Sequence, residues 1–139
     1  ARSEVTGAQQ QLAEQIIATT GQFLWVEQES QLDAVTALSG SGPAYVFYFL
    51  EAMERAGVEM GLSSEQALKL AIGTFSGASQ LAAQSTEPPA VLRERVTSKG
   101  GTTFAALESM RASNIAAQFI TAIKAADKRA TELGDEFGR

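Results

Sequence analysis

The sequence predicts an all-α domain, and three observations carry that prediction. Thr6-Gly7-Ala8-Gln9 and Ser63-Ser64-Glu65-Gln66 both have the spacing of a capping box, in which a hydroxyl residue and a glutamine three positions on satisfy backbone donors at a helix start. Apolar residues recur at three- and four-residue intervals along most of the chain. Only Phe23-Leu24-Trp25-Val26, set between Gln22 and Glu27, reads as a strand.

Taken in order, Thr6 opens a helix from about residue 8 to 20, with Leu12, Ile16 and Ile17 on one face and Gly21 as its stop. The short strand near the N-terminus then poses a problem, because its backbone groups need partners that the remaining sequence does not supply. It is expected to pair with sequence outside this chain or with another chain. Leu32, Val35 and Leu38 form a short helical pattern that breaks at Ser39-Gly40-Ser41-Gly42-Pro43. Pro43 suits the first position of the next helix, with Ser41 or Gly42 as its cap. That helix is apolar nearly all round from Tyr45 to Leu50 and ends between Gly57 and Gly61, so it is either central or covered by a second subunit.

Ser63 opens a long helix to about Ser85, whose stripe of Leu68, Ala71, Ile72, Phe75, Ala78, Leu81 and Ala82 marks the expected buried face. Gly73 and Gly77 on it would let another helix come close, with plain packing the commoner reason for such spacing. Thr86-Glu87-Pro88-Pro89 stops this helix and starts a short one to Val96, with Val91, Leu92 and Val96 inward and the charged Arg93, Glu94 and Arg95 mostly solvated. Phe104, Leu107 and Met110 mark another short helix. Ser113 or Asn114 caps the last, which carries Ile115, Phe119, Ile120 and Ile123, ends at Gly134 and frays from Asp135 to Arg139.

Composition narrows the chemistry. With 139 residues, 45% of them hydrophobic, the chain fits one domain with a real core. Eleven Lys+Arg against 16 Asp+Glu give a net charge of −5, without a long basic run, which argues against nucleic acid and anionic membranes as partners. There is no cysteine and no histidine, so disulfides, thiol catalysis, imidazole bases and the usual zinc sites are excluded, and no metal site is expected. No run is long and apolar enough to span a bilayer, and a cytoplasmic protein is the default expectation. The chain opens at Ala1-Arg2-Ser3 without an initiator methionine, which allows a processed or excised form.

One stretch stands apart as a candidate site: Val96-Thr97-Ser98-Lys99-Gly100-Gly101-Thr102-Thr103-Phe104, a polar loop between two helical segments. Paired glycines let the backbone approach a ligand closely, and Thr102 and Thr103 stand where a helix begins. Free N–H groups and the helix dipole favour an anion there. On these residues alone a capped turn is the commoner meaning. The loop does not meet the phosphate-loop pattern, since Lys99 precedes its glycines and no strand leads in, and the chain has no GxGxxG dinucleotide fingerprint. Ser98, the backbone donors of Gly100 to Thr103, the Thr102 and Thr103 hydroxyls and the Lys99 charge together suit a small carboxylate bearing an adjacent polar atom.

Thr36-Ala37-Leu38-Ser39-Gly40-Ser41-Gly42-Pro43-Ala44-Tyr45, the Val96 to Thr103 loop and Arg129-Ala130-Thr131-Glu132-Leu133-Gly134 together resemble the carboxyl-terminal part of pyrroline-5-carboxylate reductases. That resemblance covers nearly the whole chain. It implies an interlocking helical dimerisation and substrate-binding domain over residues 31–139, preceded by residues 1–30 as the remnant end of a Rossmann-type domain. The remnant would explain the orphan strand. It further implies hydride transfer from NADPH or NADH to the C=N carbon of 1-pyrroline-5-carboxylate, yielding L-proline, with NADP (or NAD) held mainly by a Rossmann domain missing from this chain. By position, Ser98, Gly100, Gly101, Thr102 and Thr103 would bind the substrate carboxylate, with the Thr103 hydroxyl as the catalytic contact to the ring nitrogen. Lys99 departs from the proline of many relatives. The chain alone is expected to be inactive and dimeric, with larger homo-oligomers open. The reading from another class is a helical oligomerisation module without ligand or catalysis.

Overall fold

The computed structural model describes residues 4–137, and these form seven α-helices with one π-helical turn. In chain order they are α1 (Gly7–Ala18), α2 (Gln31–Val35), the π turn (Thr36–Gly40), α3 (Gly42–Glu59), α4 (Ser64–Gln84), α5 (Pro89–Arg95), α6 (Thr102–Ala112) and α7 (Ile115–Phe137). Both capping boxes form as the spacing requires. At α1 the Gln9 backbone N–H donates to Thr6 Oγ1 at 3.4 Å while the Thr6 N–H donates to Gln9 Oε1 at 2.9 Å. At α4 the reciprocal bonds link Ser63 and Gln66 at 3.2 and 2.9 Å.

The expected strand at Phe23 to Val26 is not formed: no residue between positions 4 and 137 is in a strand. A strand exists only through a ladder of bonds to a neighbour, and no neighbour is supplied. The segment is held instead by its side chains, with Trp25 Nε1 donating to Glu14 Oε1 on α1 at 2.5 Å.

A second correction falls between α2 and α3. The break expected over Ser39 to Pro43 narrows to a bend at Ser41: residues 36–40 stay helical as a π turn, closed by the Ser41 N–H donating to the Thr36 carbonyl at 2.8 Å. The Tyr45 hydroxyl donates to the Ala37 carbonyl at 3.0 Å, and Ala37 is 1% exposed beneath the turn. Gly42 therefore begins α3 and Pro43 occupies its second position, where a missing N–H costs nothing.

α3 and α4 form an antiparallel hairpin that contacts more closely than any other pair. The reason is Gly57, where an added Cβ would lie 2.6 Å from Cβ of Ala67. Ala67 and Ala71, 3% and 1% exposed, line this seam. The expected face of α4 is only partly buried: Ala71 belongs to it and Phe75 and Ala82 are half-buried, whereas Leu68, Ile72 and Leu81 remain exposed in this chain, as does Val96 after α5. Gly73 and Gly77 meet nothing within 4 Å, so no helix of the same chain seats on them. The π turn packs against α2, α3 and α7, and α6 against α7.

α7 runs through Gly134 to Phe137, beyond its expected end; residues 138 and 139 lie outside the described residues, as do the opening residues 1–3. One glycine costs a helix only about 1 kcal/mol. Arg129 bridges the position by donating to Glu132 at 3.1 Å and Glu136 at 2.9 Å, which holds its guanidinium above its ordinary pKa, the Glu136 bond contributing most.

The chain leaves an unusual amount of apolar surface open. Its accessible area is 11265 Å², whereas a compact monomer of this mass exposes about 7,000 Å². Phe119 is the centre of an aromatic cluster, edge-on to Phe49 at 5.3 Å and to Tyr45 at 5.8 Å. Tyr48 lies with it along a groove between α3 and α7, and Leu38, Phe47 and Ile120 are exposed as well.

Candidate functional site

The loop between α5 and α6 is built from three local features. α5 ends as the Thr97 hydroxyl donates to the Arg93 carbonyl at 2.6 Å and the Thr97 N–H to the Glu94 carbonyl at 3.0 Å, which satisfies carbonyls that a helix end leaves open. The chain then reverses through Ser98, Lys99 and Gly100, closed by a bond from the Gly101 N–H to the Ser98 carbonyl at 3.0 Å. Gly100 has φ +74°, a conformation that side-chain-bearing residues seldom adopt. Gly101 caps α6 in extended geometry, at φ −81° and ψ 177°.

Gly101 has a reason of its own to be glycine. A Cβ there would lie 2.5 Å from Ser98 Oγ and 3.2 Å from the Ser98 carbonyl oxygen. The Ser98 hydroxyl thus sits directly over the helix start, in space that only the absence of a side chain leaves free.

α6 receives no side-chain cap and has no acidic residue in its first turn. Its first intrahelical bond at this end is from Ala105 N–H to the Gly101 carbonyl at 3.1 Å, so the N–H groups of Thr102, Thr103 and Phe104 have no helical acceptor. They point out of the helix together, with the positive end of its dipole. Thr103 and Gly101 are half-buried while Ser98, Lys99, Gly100 and Thr102 are exposed. The geometry therefore brings the Ser98 hydroxyl, the Thr102 and Thr103 residues and a set of free donors to one corner. An anion with two acceptor oxygens fits this arrangement, because each oxygen can accept from an adjacent donor without displacing an internal bond.

One sequence expectation needs amending. The Gly101 N–H is already engaged by Ser98, so the donors on offer are those of Thr102, Thr103 and Phe104. The Phe104 amide joins this set through its place as third residue of α6, which its side chain does not signal. Among the described residues no cluster of three acidic side chains is placed to hold a metal, and no helix is long and apolar enough to cross a membrane.

Comparison with known proteins gives this geometry a family context. The chain is 45% identical over 139 residues to pyrroline-5-carboxylate reductase of Pseudomonas aeruginosa, covering 100% of this chain and 51% of that protein. It is 42% identical over 125 residues to pyrroline-5-carboxylate reductase 2 of Bacillus subtilis, covering 90% and 45%. The chain thus spans about half the length of the curated relatives it matches. Among solved structures, a pyrroline-5-carboxylate reductase from Coxiella burnetii superimposes with a TM-score of 0.91 at 41% identity, covering 96% of this chain and 49% of that one. The Plasmodium falciparum pyrroline carboxylate reductase with NADP bound does so with 0.86 at 29% identity, covering 96% and 50%. The model of the family described as pyrroline-5-carboxylate reductase dimerisation matches residues 29–133, from before α2 to the last turns of α7, and the chain belongs to that family.

Proposed function

We propose that this chain is the dimerising and substrate-holding part of a reductase that converts 1-pyrroline-5-carboxylate to L-proline. The observation that carries the reading is the corner at α6, where unpaired donors and the Ser98 hydroxyl converge on space suited to a small carboxylate. In this reading Ser98 and the N–H groups of Thr102 and Thr103 hold the substrate carboxylate, with Gly100 and Gly101 giving the backbone its approach. The Thr103 hydroxyl, half-buried on the helix start, contacts the ring nitrogen and fixes which face of the imine is presented. A protonated imine accepts hydride readily at carbon, so orientation and charge placement are most of what the protein must contribute.

NADPH or NADH would supply the hydride. The described residues contain no strand-glycine-helix unit to cradle a dinucleotide, so they do not fit that cofactor by themselves. In the same reading, residues 1–30 are the end of a Rossmann-type domain and residues 31–139 the helical domain. The relative from Plasmodium falciparum, whose structure holds NADP, supports a nicotinamide cofactor for the whole enzyme.

The partner is a second copy of the chain. The accessible surface exceeds that of a compact monomer by about 4,000 Å², more than a standard interface buries, and many large apolar side chains lie on it. Sedimentation of the chain should give a dimer; a monomer at all accessible concentrations would refute this.

The decisive experiment is made in the reductase that carries this segment. Thr103→Ala should lower kcat/KM by about 10- to 100-fold, the effect of one hydrogen bond to a charged group, while Thr103→Ser retains most activity. Unchanged kcat/KM in Thr103→Ala, with the dimer intact, overturns the assignment. The chain by itself should show no NADPH oxidation with substrate.

A further inference from the structure

We draw no further inference here: the strongest candidate, the apolar groove between α3 and α7 lined by Tyr45, Phe49, Ile115 and Phe119, belongs to the dimerisation surface already assigned, and nothing in the structure points to another occupant.

Discussion

Two of the helix–helix corners differ in what they do with their backbone donors. Between α3 and α4, Gly61 turns the chain at φ +99°, the Leu62 N–H returns to the Gly57 carbonyl at 3.0 Å, and the Ser63 capping box closes the start of α4. Ser64 adds a hydroxyl bond back to Glu54 on α3. Between α5 and α6, Gly100 turns at φ +74°, but no side chain caps the helix that follows. The first corner spends its polar groups on holding two helices together. The second leaves the first N–H groups of α6 without an internal acceptor, the difference on which the proposed carboxylate site rests.

The comparison can be broken most readily at Gly101. In the reductase proposed to carry this segment, Gly101→Ala should reduce kcat/KM by about 10- to 100-fold, because the new Cβ displaces Ser98 Oγ; Ser98→Ala should match it, each loss corresponding to one bond to the proposed charged ligand. Thermal unfolding should move little in either variant, since Ser98 is exposed and packs against no core. A large drop in melting temperature without a change in kcat/KM would make this corner structural after all.

The converse substitution lies at Gly57. Gly57→Ala pushes a methyl group into Ala67 and should cost about 1–3 kcal/mol in urea unfolding, with Ala67→Gly in the same chain recovering part of it. Absence of recovery would mean that the hairpin relaxes elsewhere. A smaller effect is expected at the α4 cap, where Ser63→Ala should cost about 1 kcal/mol and leave kcat/KM of the reductase unchanged. Chemical denaturation read beside steady-state kinetics separates these outcomes.

Much of the helical layout was legible in the sequence because its signals are local. Thr6 and Ser63 cap helices through atoms three residues away, Pro89 opens α5, and Thr102 opens α6 just after its glycines. The failures share a different character. Phe23 to Val26 has strand composition but no ladder partner. The π turn depends on Tyr45 reaching Ala37 across eight residues and on packing with α2, α3 and α7. The expected stripe on α4 included the buried Ala71, but the close approach of α3 also buries Ala67, which lies outside that stripe, and leaves Leu68, Ile72 and Leu81 open.

At the site, residue types alone gave a polar, glycine-paired loop at a helix start, with a small carboxylate as the fitting ligand. They gave neither the position of the Ser98 hydroxyl over Gly101 nor the loss of the Gly101 N–H to the turn. By itself, then, the sequence determined where helices start and which loop is the candidate site, because capping and chain reversal are settled within a few residues. Tertiary structure decided which faces meet, where a helix widens and which donors remain free, because those outcomes depend on atoms that only the folded chain brings together.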